Sequence, residues 1–178
     1  MVTGMTVVVR DAEPADAVRM AQVHVESWRG AYRGLIPQNV LDRLDVSART
    51  ELWIRLIGGT DPLRGATLVA ELDGQVIGFA HVGQTRDEDG DPVRTGELSA
   101  IYLRPGSWGR GAGRALMDEA ISRLATAGYT DATLWVLDTN KRARRFYTAA
   151  GWSADGTAKV DERDGYSLSE LRYRRQLS

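Results

Sequence analysis

Cysteine is absent from the 178 residues, which removes disulfides, thiolate nucleophiles and cysteine-ligated zinc from consideration. Histidine is scarce as well: His24 and His81 stand far apart with no acidic ligand set beside either, so no metal site is expected. Lysine occurs only at positions 141 and 159, and arginine supplies the rest of the 23 basic residues. A surplus of one charge is lacking too. The formal net charge of -1 gives no reason to expect nucleic acid or an anionic membrane as a partner. No apolar run approaches the length of a signal-peptide core or a membrane span, and the N-terminal TVVVR stops at Arg10. A cytoplasmic location is the resulting expectation. What is present is ordinary, since 43% hydrophobic and 26% charged residues argue against extensive disorder. The length fits one domain over residues 1–178 that buries about two thirds of its unfolded surface.

Residues 6–10 read as a short strand, and Pro14 opens a helix whose apolar face carries Ala17, Ala21, His24, Val25 and Trp28. Two further helical pieces follow, one starting near Pro37 and one in SARTELWIRLIG. GATLVAELDGQVIGFAHVG reads as a hairpin turning on Asp73-Gly74. After a polar loop, TGELSAIYLRP is a strand stopped by Pro105, and Leu116, Met117, Ala120, Ile121 and Leu124 mark a helix. The chain closes with the strand DATLWVL, the helix NKRARRFYTAA and two strands near GWSADGTA and YSLSELRYRR. This order is mixed α/β, of the α+β kind, with strands first clustered and then alternating with helices.

Between Pro105 and the Leu116 helix lies WGRGAG, residues 108–113. A dinucleotide fingerprint fails there, because the sixth position counted from Gly109 is Arg114 and from Gly111 is Leu116. The lysine of a P-loop is missing. A glycine-rich turn feeding a helix N-terminus still suits an anion such as pyrophosphate. A plain tight turn needs the same glycines, and local chemistry leaves both readings open.

LRPGSWGRGAGRALM resembles motif A of the GNAT acetyltransferase superfamily. DTNKRARRFYTAAGW resembles a later motif of the same superfamily, and VRDAEPADAVRMAQVHVESWRGAYRGLIP looks like a bacterial branch of it. The resemblance implies a GNAT fold: a mixed, mostly antiparallel, V-shaped central sheet with helices on both faces, as a single GNAT acetyltransferase domain. Acetyl-CoA is the implied cofactor, with CoA as product. Its pyrophosphate would meet Trp108, Gly109, Arg110, Gly111, Ala112, Gly113 and Arg114, although Trp108 stands where the pattern has Gln or Arg. Its pantetheine would pair with the backbone of Ile101, Tyr102 and Leu103 and meet Asn140, which also suits a helix cap. Arg104 joins the basic groups near the turn. Arg144, with Lys141, Arg142 and Arg145, forms a second basic cluster, for which a solvated helix face is the favoured reading.

The implied chemistry is direct attack of an amine on the thioester, with no acetyl-enzyme. Glu97, 14 positions before Gly111, is the candidate base, its proton affinity raised by an apolar wall; a strand-end carboxylate or a water relay are the alternatives. Tyr147 is the candidate acid toward the departing thiolate, with plain core packing as its rival role. Trp28, Tyr32 and Ile36, near Leu35, fall on the acceptor side, together with Glu97 and His81; His24 reads as a core residue. The expected function is N-acetylation of a small-molecule primary amine. The alternatives are a protein N-terminal or lysine acetyltransferase and a non-catalytic acyl-CoA-binding module; a nucleotide-binding regulator is disfavoured by the failed fingerprint. Such proteins are often homodimers, and no residue decides that here.

Overall fold

Asp73 and Gly74 have φ of 51° and 75°, the left-handed pair that a two-residue hairpin turn demands. In the computed structural model, which describes residues 6–163 and 165–177, this turn joins β2 (Ala66–Leu72) to β3 (Gln75–Gln84) with Leu72 opposite Gln75. The remaining strands are β1 (Val8–Asp11), β4 (Thr95–Leu103), β5 (Asp131–Leu137), β6 (Ser153–Arg163) and β7 (Tyr166–Gln176). They form one seven-stranded sheet in the order β1-β2-β3-β4-β5-β7-β6. Every pairing is antiparallel except that of β4 with β5.

That parallel pair is the source of the cleft. β4 and β5 are joined only where Thr95, Gly96 and Glu97 face Asp131, Ala132 and Thr133; beyond that they part from each other while each stays paired with its other neighbour. The splay is the V expected from the resemblance. A register shift between β3 and β4 at His81/Val82 leaves Ser99 without an opposite residue, so Glu97, Ser99 and Tyr102 come to share one cavity wall.

The helices are α1 (Ala17–Ala31), α2 (Gln38–Asp42), α3 (Val46–Gly59), α4 (Ala112–Thr126) and α5 (Lys141–Ala149). α1 is entered through a 3₁₀ turn at Pro14–Asp16, α3 is capped by Asp45 accepting from the Ala48 amide at 3.0 Å, and α5 by Asn140 accepting from Ala143 at 3.1 Å. One face of the sheet is covered by α4, whose Leu116, Met117, Ala120 and Leu124 pack with Leu68, Ala80 and Leu134. The other is covered by α1 and α3 through Met20, Val23 and Trp53 against Val69 and Phe79. A third cluster joins Ile36 and Leu41, in and beside α2, to Leu137 and Leu168 of β5 and β7. The segment after α1 thus reaches across the open V.

Candidate active site

The glycine turn takes its shape from backbone conformation. Gly109 and Gly111 have φ of 74° and 85°, a region in which a side chain is strained. Gly113 differs, because an added Cβ would meet only the Phe146 ring at an ordinary 3.5 Å. Its bareness keeps the wall beside α4 low. The first bond of α4 runs from the Ala115 amide to the Gly111 carbonyl at 3.0 Å, which leaves the preceding amides at the helix start without intrahelical acceptors.

These amides border a cavity of ≈460 Å³ that runs between α1, β4, the turn and α5. Ile101, Tyr102, Leu103, Trp108, Gly109, Gly111, Gly113, Arg114, Asn140 and Tyr147 line it, with Trp28 and Tyr32 on the far side. Trp108 holds its place by donating its indole Nε1–H to the Leu103 carbonyl at 3.0 Å, while the Arg142 guanidinium lies 3.3 Å from its ring centroid. Burial lowers the proton affinity of Arg142 from its ordinary value.

A second cavity of ≈420 Å³ lies beyond it, and the two share Trp28, Tyr32 and Tyr102 as a common wall. Ile36 and Glu97 line only this second space, with Arg86, Trp135, Lys159 and Glu170. Glu97 is buried, and its carboxylate is held from three sides by one residue: the Arg86 backbone amide at 3.0 Å, Nε at 3.1 Å and Nη2 at 2.7 Å. The expected apolar wall beside Glu97 is therefore an ion pair, with the Arg86 side chain 74% exposed at its outer end.

Tyrosines concentrate where the cavities meet. Burial, and then the proximity of Tyr102, pushes the Tyr147 phenol above its ordinary value, and the same causes raise Tyr32 well above it. Both remain proton donors at neutral pH. The Nε1–H of Trp28 is buried without an acceptor among the described residues.

Three assignments from the sequence, Arg144, Arg110 and His81, require correction. Arg144 is turned away from the cleft to Asp138, 2.9 Å away, and to the Tyr173 hydroxyl; Arg142 takes the cleft side. Arg110 is exposed and outside the cavity lining; the Ala112 side chain is buried in the core, which leaves its backbone amide as the group that could meet an anion, in keeping with the backbone binding expected there. His81 points toward α3, with its Nδ1 2.8 Å from Thr67 Oγ1 and its ring 6.1 Å from Trp53. It lines neither cavity. Of the basic groups near the turn, Arg104 is engaged by Glu26 at 2.8 Å and Arg114 by Asp118 at 2.8 Å. His24 is a buried core residue, as expected: its Nδ1 accepts from Trp53 Nε1–H at 3.2 Å, and burial pulls its pKa down to about 3.

Residues that the sequence did not single out come from the polar 85–94 loop and from β5–β7. Arg172 of β7 is buried and binds Asp89 at 2.6 Å and Asp155 at 2.7 Å, which ties the loop bearing Arg86 to the far side of the V. Trp135 donates its Nε1–H to Asp87 of that loop at 2.9 Å.

Comparison with known proteins agrees with this architecture. Residues 28–152 match the model of the Acetyltransferase (GNAT) family. The chain is 34% identical over 134 residues to "Uncharacterized N-acetyltransferase YuaI" of Bacillus subtilis, covering 75% of this chain and 73% of that one. It is 28% identical over 169 residues to "Probable N-acetyltransferase Rv2775" of Mycobacterium tuberculosis, covering 93% and 91%. Among solved structures, the PaiA N-acetyltransferase of Thermoplasma acidophilum in complex with coenzyme A superposes with a TM-score of 0.76 at 22% identity, over 97% of this chain and 99% of that one. With its split sheet, its left-handed glycine turn and these relatives, the chain belongs to the GNAT family of acetyltransferases and is an N-acetyltransferase.

Proposed function

We propose that the chain transfers the acetyl group of acetyl-CoA directly to a primary amine of a small molecule. The observation that carries this reading is the pair of cavities meeting at Trp28, Tyr32 and Tyr102 where β4 parts from β5. One cavity has the features a coenzyme A needs: unpaired amides at the start of α4, a wall lowered at Gly113, and the exposed edge of β4. The relative solved with coenzyme A shares the fold. When bound, acetyl-CoA supplies the acetyl group as an activated thioester.

The chain's own groups supply the rest. The amides opening α4 hold the pyrophosphate charge, and Arg142, clamped on Trp108, adds a cation beside it. Backbone N–H groups on the edge of β4 that faces β5 beyond Glu97 would polarise a carbonyl lying along it. Tyr147 keeps its proton at the phenol oxygen and would hold it toward the departing sulfur; burial makes the phenol a weaker acid but raises the proton affinity of a bare thiolate in the same space, so the weaker donor meets a stronger base. Glu97, across the shared wall, accepts the amine proton directly or through water once the Arg86 guanidinium yields one of its oxygens. The second cavity, of ≈420 Å³, sets the aromatic faces of Trp28, Tyr32, Tyr102 and Trp135 among charged groups, a volume that suits a small amine-bearing molecule.

Calorimetric titration with acetyl-CoA, CoA and NAD, followed by thiol release with a panel of amines, tests this directly. Binding of both CoA species and not NAD, with amine-dependent thiol release, is expected. Failure of acetyl-CoA to bind overturns the cofactor assignment. Binding without release on any amine moves the acyl-CoA-sensing module to the front.

A further inference from the structure

The acceptor cavity is already carrying a cation. Lys159 Nζ sits 4.0 Å from the centroid of the Trp135 ring and 3.5 Å from Glu170 Oε2, an aromatic face and a carboxylate around one ammonium group. The seat is built independently of the lysine. The Trp135 ring is fixed from its far edge by the 2.9 Å bond to Asp87, and Glu170 stands directly across the β6–β7 ladder from Lys159. The lysine is the loose partner: its side chain is 45% exposed, and a pair at 3.5 Å is not a close one. Arg172, 5.8 Å from the same ring, has its own charge met by Asp89 and Asp155, with Asp87 a third carboxylate at 3.4 Å.

We infer that the Trp135–Glu170 seat is an ammonium subsite of the acceptor cavity, and that the acceptor carries a second cationic group which replaces Lys159 there. The inference rests on the amine-acetyltransferase reading for its first amine. A reacting nitrogen must be neutral to attack, whereas an indole face with a carboxylate stabilises the protonated form. The seat is therefore unsuited to the nitrogen that reacts. Position agrees with this: Trp135, Lys159 and Glu170 border only the second cavity, while Tyr147 borders only the first. Charge agrees as well, because the carboxylates of Asp87, Glu97, Asp161 and Glu170 outnumber the cations of Arg86 and Lys159 on these walls. An acceptor with a carboxylate at its far end would meet like charge.

Equilibrium binding tests this without requiring turnover. Putrescine and cadaverine are titrated calorimetrically into the protein beside butylamine, pentylamine and γ-aminobutyrate, with acetyl-CoA titrated in parallel. The diamines are expected to bind about tenfold more tightly than the monoamines, with γ-aminobutyrate weakest. Lys159→Ala should tighten the diamines further, while Trp135→Ala and Glu170→Gln should erase the preference and leave acetyl-CoA binding unchanged. Glu170→Gln keeps the side chain's shape, so a folding defect in the tryptophan variant does not remove the test. Equal binding of all amines, binding of none, a preference for γ-aminobutyrate, or a diamine preference that survives Glu170→Gln overturns the subsite. A diamine preference without acetyl-CoA binding retains the subsite and removes the transferase reading instead.

Discussion

At the scale of single residues, the proposed chemistry rests on a contrast between Glu97 and Tyr147. Tyr147 lines the first cavity with its phenol raised by burial, and Glu97 lines the second under the Arg86 clamp. Replacing Tyr147 by Phe removes only the donor, so kcat should fall by about 100-fold while KM for acetyl-CoA stays within about twofold. Because the phenol is held above its ordinary value, the native enzyme should also keep its rate up to about pH 10, where an unperturbed tyrosine would begin to ionise. A Tyr147→Phe enzyme with native turnover would remove the acid role. Glu97→Gln should reduce kcat/KM by at least about tenfold; native activity in that variant would assign the proton to a water relay. Sequence could name both residues from the resemblance, but not the Arg86 clamp, which comes from a polar loop. The choice between Arg142 and Arg144 was equally hidden. The two positions are about 200° apart around a helix and flank the same apolar stripe of Ala143, Phe146 and Tyr147, so only the docking of α5 decides which of them meets Trp108.

At the scale of elements, the glycine turn separates conformation from access. Gly111 sits at the start of α4 with φ of 85°, and a left-handed alanine costs about 1–2 kcal/mol. Gly111→Ala should therefore lower Tm by roughly 2–8 °C and weaken acetyl-CoA as the amides shift. Gly113→Ala should leave Tm unchanged or slightly higher, since alanine favours a helix and its methyl meets the Phe146 ring at an ordinary distance. It should still weaken acetyl-CoA by narrowing the cleft. Thermal melts and calorimetry on the two variants check the distinction, and equal Tm losses would contradict it. Elements with local punctuation were legible in sequence: Asp73-Gly74 fixed the hairpin register, Asn140 the start of α5, and Pro105 the end of β4. The full length of β6 was not, because TAKVDER carries no regular apolar alternation, and its outer half is held by the ladder with β7. Neither was the acceptor wall, since its residues come together only when Arg172 joins the 85–94 loop to the last two strands.

At the scale of the whole molecule, both histidines are placed so that acid acts on the fold before it reaches the ion pairs. His24 is buried between α1, α3 and the sheet, accepts a hydrogen bond at Nδ1 from Trp53, and stacks on Tyr102 with ring centroids 4.9 Å apart. Burial, and then the charge of Arg49, brings its pKa from 6.5 to about 3. Burial lowers His81 in the same direction. Below pH 6.5 the unfolded chain therefore binds protons that the folded chain refuses, so stability is complete above that pH and falls as the pH drops toward 3. The slope attributable to His24 approaches about 1.4 kcal/mol per pH unit, a large share of the roughly 5–15 kcal/mol that holds a typical domain together. Urea midpoints measured from pH 8 to pH 4.5 should decline below pH 6.5 in the native chain. His24→Gln keeps an acceptor for the Trp53 indole and cannot take the charge. Its midpoint at pH 8 should be lower by the loss of packing, but its decline toward pH 4.5 should be shallower, with His81 contributing in the same direction. An unchanged slope in His24→Gln would remove His24 as the acid-sensitive group. Because the imidazole lies flat against Tyr102, which walls both cavities, acid should disturb the meeting point of cofactor and acceptor along with the core.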